Sequence, residues 1–298
     1  MSSETYHTAK DSFFVNSSEH IQIEVLHYPP INKTQNYPPI LFIHGGFLAA
    51  WSWDDFSHWF SDKGFDCYAM SFRGHGQSTK TPNKDKWWSL NEITQDISAV
   101  TDEIIARTKV NPILVGHSFG GALLQNYLED NHQKVSGGVL LASPSPYLHK
   151  TSFFKVISNI ISSHQIFPYL KAIITSNPYA TIETPELMKK LLFSSAYPDS
   201  MAREIHPRLE KFGFLSGFLE LTKPFVDPSK IKCPMIVIGA EEENASFDNV
   251  KVLSETAKVY GVGYDIVGAA GHEIMLDLTW EDAAKIVFDR IQERIINK

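Results

Sequence analysis

An apolar run, Pro112-Ile113-Leu114-Val115, leads directly into Gly116-His117-Ser118-Phe119-Gly120, and a helix-like segment, Ala122 to Leu128, follows at once. Few local patterns restrict a chain as much. A strand that turns into a helix within so few residues must hold its central serine in a strained backbone conformation. The residues two before and two after that serine must be small, and Gly116 and Gly120 meet this condition. Gly121 lets the new helix pack close to the strand. The expected product is a nucleophile elbow, with the Ser118 hydroxyl lifted above a sheet at the N-terminus of a helix.

The rest of the chain has to supply that sheet. Asn16 to Glu19 reads as a turn between a short strand, Ser12 to Val15, and an alternating one, Ile21 to Tyr28. A continuous apolar run at Pro39 to Ile43 suits a strand buried on both faces; a further strand reads at Phe65 to Met70, and buried strands at Val135 to Leu141 and Pro234 to Ile238. A last strand is expected near Tyr264 to Val267. Helical patterns lie between them, near Trp51 to Asp62, Ser89 to Arg107 and Asp277 to Ile296. Strands alternating with helices imply an α/β chain with a mainly parallel sheet covered on both faces. The alternation breaks between Ser143 and Pro228. Only helix-like stretches appear there, at Phe153 to Ser162, Phe167 to Ile174, Pro185 to Ser194 and Ala202 to Leu221. Connections within such sheets are normally short, so this region is expected to be a helical insertion over one end of the sheet. Its Phe153, Phe154, Phe167, Tyr169, Phe193, Phe212, Phe214 and Phe218 suggest apolar walls for a pocket.

Composition excludes several classes. The 298 residues carry a net charge of −7 with no basic block, which argues against a nucleic-acid partner. No stretch approaches the roughly 20 apolar residues of a membrane span, and the first residues lack a secretory pattern. Cys67 and Cys233 are expected to be buried, reduced thiols in a cytoplasmic protein. The twelve histidines do not fall at metal-ligand spacing, so no metal is expected.

A serine hydroxyl needs a base, and the base needs an orienting acid. In a strand–serine–helix fold these follow in the order serine, acid, histidine. His272, in the loop after the last strand, is the expected base. The loop after Leu141 holds no carboxylate, whereas Ile238 runs into Gly239-Ala240-Glu241-Glu242-Glu243. Glu242, third after the glycine, is the expected acid, with Glu243 the alternative and Asp248 a weaker third; Glu241 completes the triplet. The backbone N–H of Phe119 and that of Gly46 are expected to bind an oxyanion, with Phe47 next to Gly46. His44 is expected to brace that loop rather than act as the base.

Four motifs in this order resemble the α/β-hydrolase superfamily: Phe42-Ile43-His44-Gly45-Gly46, Phe72-Arg73-Gly74-His75-Gly76-Gln77-Ser78, Gly116 to Gly120, and Gly271-His272. The resemblance implies an eight-stranded sheet with an inserted helical cap. The core would span residues 1–143 and 229–298, and the cap 144–228. It also makes Arg73 to Ser78 structural, His75 included. The activity implied is a serine hydrolase that cleaves a small or medium apolar ester or lactone without a cofactor, as a monomer or homodimer. Dehalogenases and epoxide hydrolases of this fold carry aspartate where this chain has Ser118. Cofactor-free haloperoxidases, carbon–carbon bond hydrolases and hydroxynitrile lyases keep the serine and histidine, as do slow-turnover ligand receptors.

Overall fold

A computed structural model describes residues 11–31, 35–81, 88–147, 168, 171–172, 175, 177–211, 220–221, 223–244 and 249–297. Eight strands form one sheet: β1 (Asp11–Ser18), β2 (Ile21–Tyr28), β3 (Ile40–Ile43), β4 (Cys67–Met70), β5 (Ile113–His117), β6 (Gly137–Leu141), β7 (Met235–Ala240) and β8 (Tyr264–Val267). Their spatial order is β1-β2-β4-β3-β5-β6-β7-β8. β2 pairs antiparallel with both β1 and β4, and every other pairing is parallel. β1 runs further than Asn16, so the turn falls at Glu19-His20, with a register shift between Asn16 and Ser18.

The continuous apolar runs are explained by two separate cores. Ile40, Phe42, Ile113 and Val115 face one cluster with α1 (Asp54–Asp62) and α7 (Trp280–Ile291). Leu41, Ile43 and Leu114 face the other, with α2 (Leu90–Thr108) and α3 (Phe119–Asn131). Alternate side chains of one strand therefore enter opposite layers. Each fully buried aliphatic side chain contributes about 1.5–3 kcal/mol, so the central strands anchor the domain. α2 begins where its capping signal lies: Ser89 Oγ accepts from Glu92 N–H, and the Glu92 carboxylate accepts from Ser89 N–H at 3.0 Å.

Between β6 and β7 the described residues hold helices and no strand. α4 (Pro185–Leu192) matches its expected position. In place of one long helix over Ala202 to Leu221, the described residues up to Lys211 form α5 (Asp199–Ile205) and a short 3-10 turn, His206–Arg208; residues 212–219 of that span lie outside the described residues. Pro207 has no N–H to continue the ladder, and Leu209 is extended. The helix expected at Phe153 to Ser162 lies outside the described residues. So does most of that at Phe167 to Ile174, together with Phe154, Tyr169, Phe212, Phe214 and Phe218. Phe193 is buried and stacks on Tyr197 with ring centroids 4.0 Å apart. α6 (Asn249–Val259) precedes β8, and α7 starts three residues later than the sequence pattern suggests. Cys67 is buried, but Cys233, expected to be so, is partly exposed. No helix among the described residues is long and apolar enough to cross a membrane.

Candidate active site

Ser118 sits between β5 and α3 with φ 49° and ψ −121°. A non-glycine residue tolerates this region only where the surroundings enforce it. They do so here by close approach. A Cβ on Gly116 would lie 2.7 Å from the Gly120 carbonyl oxygen, and one on Gly120 would lie 2.3 Å from that of His44. The strain turns Ser118 Oγ toward the loop after β8, where His272 Nε2 lies at 2.8 Å. On the far side of the ring, His272 Nδ1 lies 2.7 Å from Glu243 Oε2. A carboxylate only accepts, so Nδ1 carries the hydrogen and Nε2 is left to accept from the serine hydroxyl. Burial lowers the basicity of His272, but the charge of Glu243, its hydrogen bond and the nearby Glu273 together raise it above that of an ordinary imidazole.

The acid against the histidine is thus Glu243 and not Glu242. Counting from Gly239 misplaces it by one residue, because Glu241 and Glu242 form the turn after β7 and are both tied to the end of β8 and the loop beyond it. Glu241 N–H donates to Val267 O at 3.0 Å, and Glu242 N–H to Ala270 O at 2.9 Å. Glu241 accepts from Ala269 N–H, and Glu242 accepts from Ser195 N–H at 2.7 Å. Glu243 alone is directed inward, with its side chain 1% exposed. Asp248 lies outside the described residues.

The histidine loop is held by a residue that none of the sequence motifs marks. Asp277 accepts from the N–H groups of Gly271, Ser194 and Leu278 and from the Ser194 hydroxyl. Glu273 N–H donates to Leu192 O at 2.9 Å. These bonds tie the segment after α4 to the loop that carries His272. Their only sequence signal is polar residues within an otherwise apolar stretch, Gly271-His272-Glu273-Ile274-Met275-Leu276-Asp277.

The loop after β3 is fixed from three sides. His44 Nε2 accepts from Phe72 N–H at 3.1 Å while its Nδ1 donates to Gly45 O at 2.7 Å. Burial, with His75 nearby, holds His44 well below the ordinary range, so it stays neutral in this bracing position. His75 Nε2 lies 3.2 Å from Gly46 O, and Glu210 N–H donates to Phe47 O at 2.9 Å. Gly46 and Phe47 are therefore held by their carbonyls. Phe119 is the first residue of α3, at the helix N-terminus. Arg73 makes a buried two-nitrogen pair with Asp96, the closest contact being 2.6 Å, and takes no part in this cluster.

One nitrogen of His117, one of His272 and one oxygen of Glu273 fall within 4.8 Å of one another. This is not a metal site. Both nitrogens of His272 are committed, and His117 Nε2 lies 2.9 Å from the His272 carbonyl oxygen.

Comparison with known proteins agrees with this architecture. The family model for the alpha/beta hydrolase fold matches residues 38–161. The pFDCC methylesterase MES16 of Arabidopsis thaliana is 24% identical over 221 residues, covering 71% of this chain and 78% of that protein. Protein phosphatase methylesterase 1 of Candida albicans is 27% identical over 156 residues, covering 47% of this chain and 41% of that protein. The chain spans about two fifths of the length of the first two curated relatives it matches. The solved structure of a thermophilic esterase from Thermogutta terrifontis superposes with a TM-score of 0.70 at 14% identity, over 95% of this chain and 98% of that one. The eight-stranded sheet and its flanking helices are the α/β-hydrolase fold.

Proposed function

We propose that this protein hydrolyses carboxylic esters through an acyl-enzyme on Ser118. The carrying observation is the relay from Ser118 Oγ to His272 Nε2 at 2.8 Å and from His272 Nδ1 to Glu243 at 2.7 Å. His272 takes the hydroxyl proton as Ser118 Oγ attacks the carbonyl carbon, and the ring becomes an imidazolium. Glu243 fixes the tautomer and stabilises that charge. The N–H groups of Phe119 and Gly46 bind the developing oxyanion. As the intermediate collapses, the C–O bond to the alcohol breaks and His272 returns the proton to the leaving oxygen. A water then attacks the acyl-enzyme, giving its proton to His272, and the carboxylic acid leaves as Ser118 is regenerated. No step calls for a metal or an organic cofactor.

The segment between β6 and β7 acts as a cap in this reading. Its support is where the segment attaches: Leu192 and Ser194 to the histidine loop, Ser195 to Glu242, and Glu210 to both Phe47 and Gly76. All these partners lie at the end of the sheet that carries Ser118. The substrate is a small or medium apolar ester or lactone, and the methylesterase names of two relatives favour a small alcohol leaving group. Intact mass after incubation with a small fluorophosphonate tests the assignment. One adduct on wild type and none on Ser118→Ala is expected; labelling of both, or of neither, overturns it.

A further inference from the structure

Behind the triad lies a second acid–base pair that the mechanism above does not use. Glu273 follows His272 in the chain, and its side chain is 4% exposed. Its Oε2 lies 3.7 Å from Nδ1 of His117, the fully buried residue that precedes the nucleophile. Neither atom has a hydrogen-bond partner among the described residues. The tautomer of His117 is set by its other nitrogen. Nε2 faces the His272 carbonyl oxygen at 2.9 Å, and a carbonyl only accepts, so Nε2 carries the hydrogen. Nδ1 of the neutral ring is then a bare lone pair. An ionised Glu273 facing it would set two acceptors against each other away from water, which is costly. One proton placed between them removes the conflict, and a small side-chain rotation closes the bond.

The groups facing Glu273 decide where that proton sits. They are His117 from the end of β5, His272 from its own loop, Glu243 from the loop after β7, and Asp277 before α7. Burial, reinforced by Glu243 and Asp277 and opposed by His272, pushes the Glu273 carboxyl up to about 7. Burial, followed by the neighbouring His272, pulls His117 well below the ordinary imidazole range. Both shifts put the proton on the carboxyl. Since Glu273 approaches the His272 ring within 4.8 Å, its own ionisation must be felt there.

We propose that Glu273 and His117 form a one-proton pair behind the triad, and that Glu273 is a positioning residue setting how readily His272 accepts the serine proton. The proposal rests on Ser118 and His272 being the reacting pair. With Glu273 neutral, His272 sees one carboxylate; with it ionised, His272 sees two and holds its proton to higher pH. Glu273→Gln keeps the size, offers an amide hydrogen to His117 Nδ1, and removes the second charge.

The test is a pH titration by NMR of the histidine rings and of ¹³C-labelled glutamate carboxyls, in wild type and Glu273→Gln. Alongside it, the pH dependence of inactivation by a small fluorophosphonate is measured. The Glu273 carboxyl should titrate near neutrality, with His117 neutral and Nε2-protonated throughout. The His272 midpoint and the acidic limb of inactivation should both move down by about one pH unit in the variant, the size expected for loss of a charge at this range. At a pH one unit below the wild-type midpoint, that raises the reactive fraction several-fold relative to each protein's own plateau. A Glu273 midpoint near 4, or a His272 midpoint that does not move, overturns the proposal. Should the variant fail to fold, the wild-type carboxyl titration decides alone. Absence of any fluorophosphonate adduct on wild type counts against ester hydrolysis, whereas the NMR midpoints judge the pair itself.

Discussion

Arg73–Asp96 and His272–Glu243 are both buried pairs of a base and a carboxylate, and they do different work. Arg73 gives Nε and one terminal nitrogen to Asp96, which also accepts the Arg73 N–H and the Ser17 hydroxyl. The ring of Trp88 covers the guanidinium at 4.4 Å. A guanidinium keeps its proton at any pH at which a protein stays folded, so this charge is permanent and its geometry locked. His272 is buried too, but an imidazole can gain and lose its ring proton, and its second nitrogen faces a strained serine. Depth of burial therefore does not separate a clamp from a reaction centre. The separation lies in whether the base can give up its proton and whether a nucleophile waits to supply one.

Breaking the reactive pair should cost the most. Ser118→Ala should lower turnover of a p-nitrophenyl ester by about 10⁴-fold or more, with the melting temperature within a few degrees of wild type. The acid comes next. Glu243→Gln preserves shape but frees the imidazole to take the wrong tautomer, so kcat should fall by roughly 10³- to 10⁴-fold. Glu242→Gln, which disturbs only a bond to the Ser195 backbone, should stay within about threefold in the same assay, a ratio equivalent to less than 1 kcal/mol. Equal losses in the two variants would remove the distinction between them.

Breaking the clamp should be visible in stability. Asp96→Ala leaves the Arg73 charge buried without its partner and should cost about 3–5 kcal/mol in urea unfolding. Replacing both residues, as Arg73→Met with Asp96→Leu, should recover most of that loss, because the double variant leaves no orphaned charge. A double variant worse than the single one would mean that the hydrogen bonds to Ser17 and the Arg73 backbone, not the charge pair, hold this loop.

Much of this contrast is legible in the amino-acid sequence. The apolar runs become β3 to β7 because a strand buried on both faces leaves no polar alternation. The elbow can be read because its glycines answer a steric demand within five residues. Glu243 is harder. Three adjacent glutamates carry no internal label, and the choice among them depends on two backbone bonds, to Val267 and Ala270, made by residues far along the chain. Asp277 and Glu273 show only as polar residues in an apolar stretch, which does not tell their partners. Their roles arise from contacts with Ser194, Gly271 and His117, and no local spacing encodes those. The helix expected from Ala202 is interrupted at Leu209 for a local reason that Pro207 does announce.

The pair formed by Glu273 and His117 stands between the two extremes, and its effect on stability should be smaller than that of breaking the clamp. Asp96 is buried with a permanent cation, whereas Glu273 is buried against a neutral ring. Its folded-state pKa of about 7 lies above the unfolded value of 4.5. The folded protein therefore binds this proton more tightly than the unfolded chain does. The stabilisation is fully present below pH 4.5 and is lost as pH rises through about 7. On the linkage relation the loss amounts to about 3 kcal/mol. Glu273→Gln carries no such proton and donates to His117 at every pH. The difference in unfolding free energy, variant minus wild type, should therefore grow more positive between pH 5 and pH 8. Urea denaturation at these two values measures it. A difference that stays flat would mean that Glu273 is ionised in the folded state across the whole range, and that its burial is compensated by something other than a shared proton.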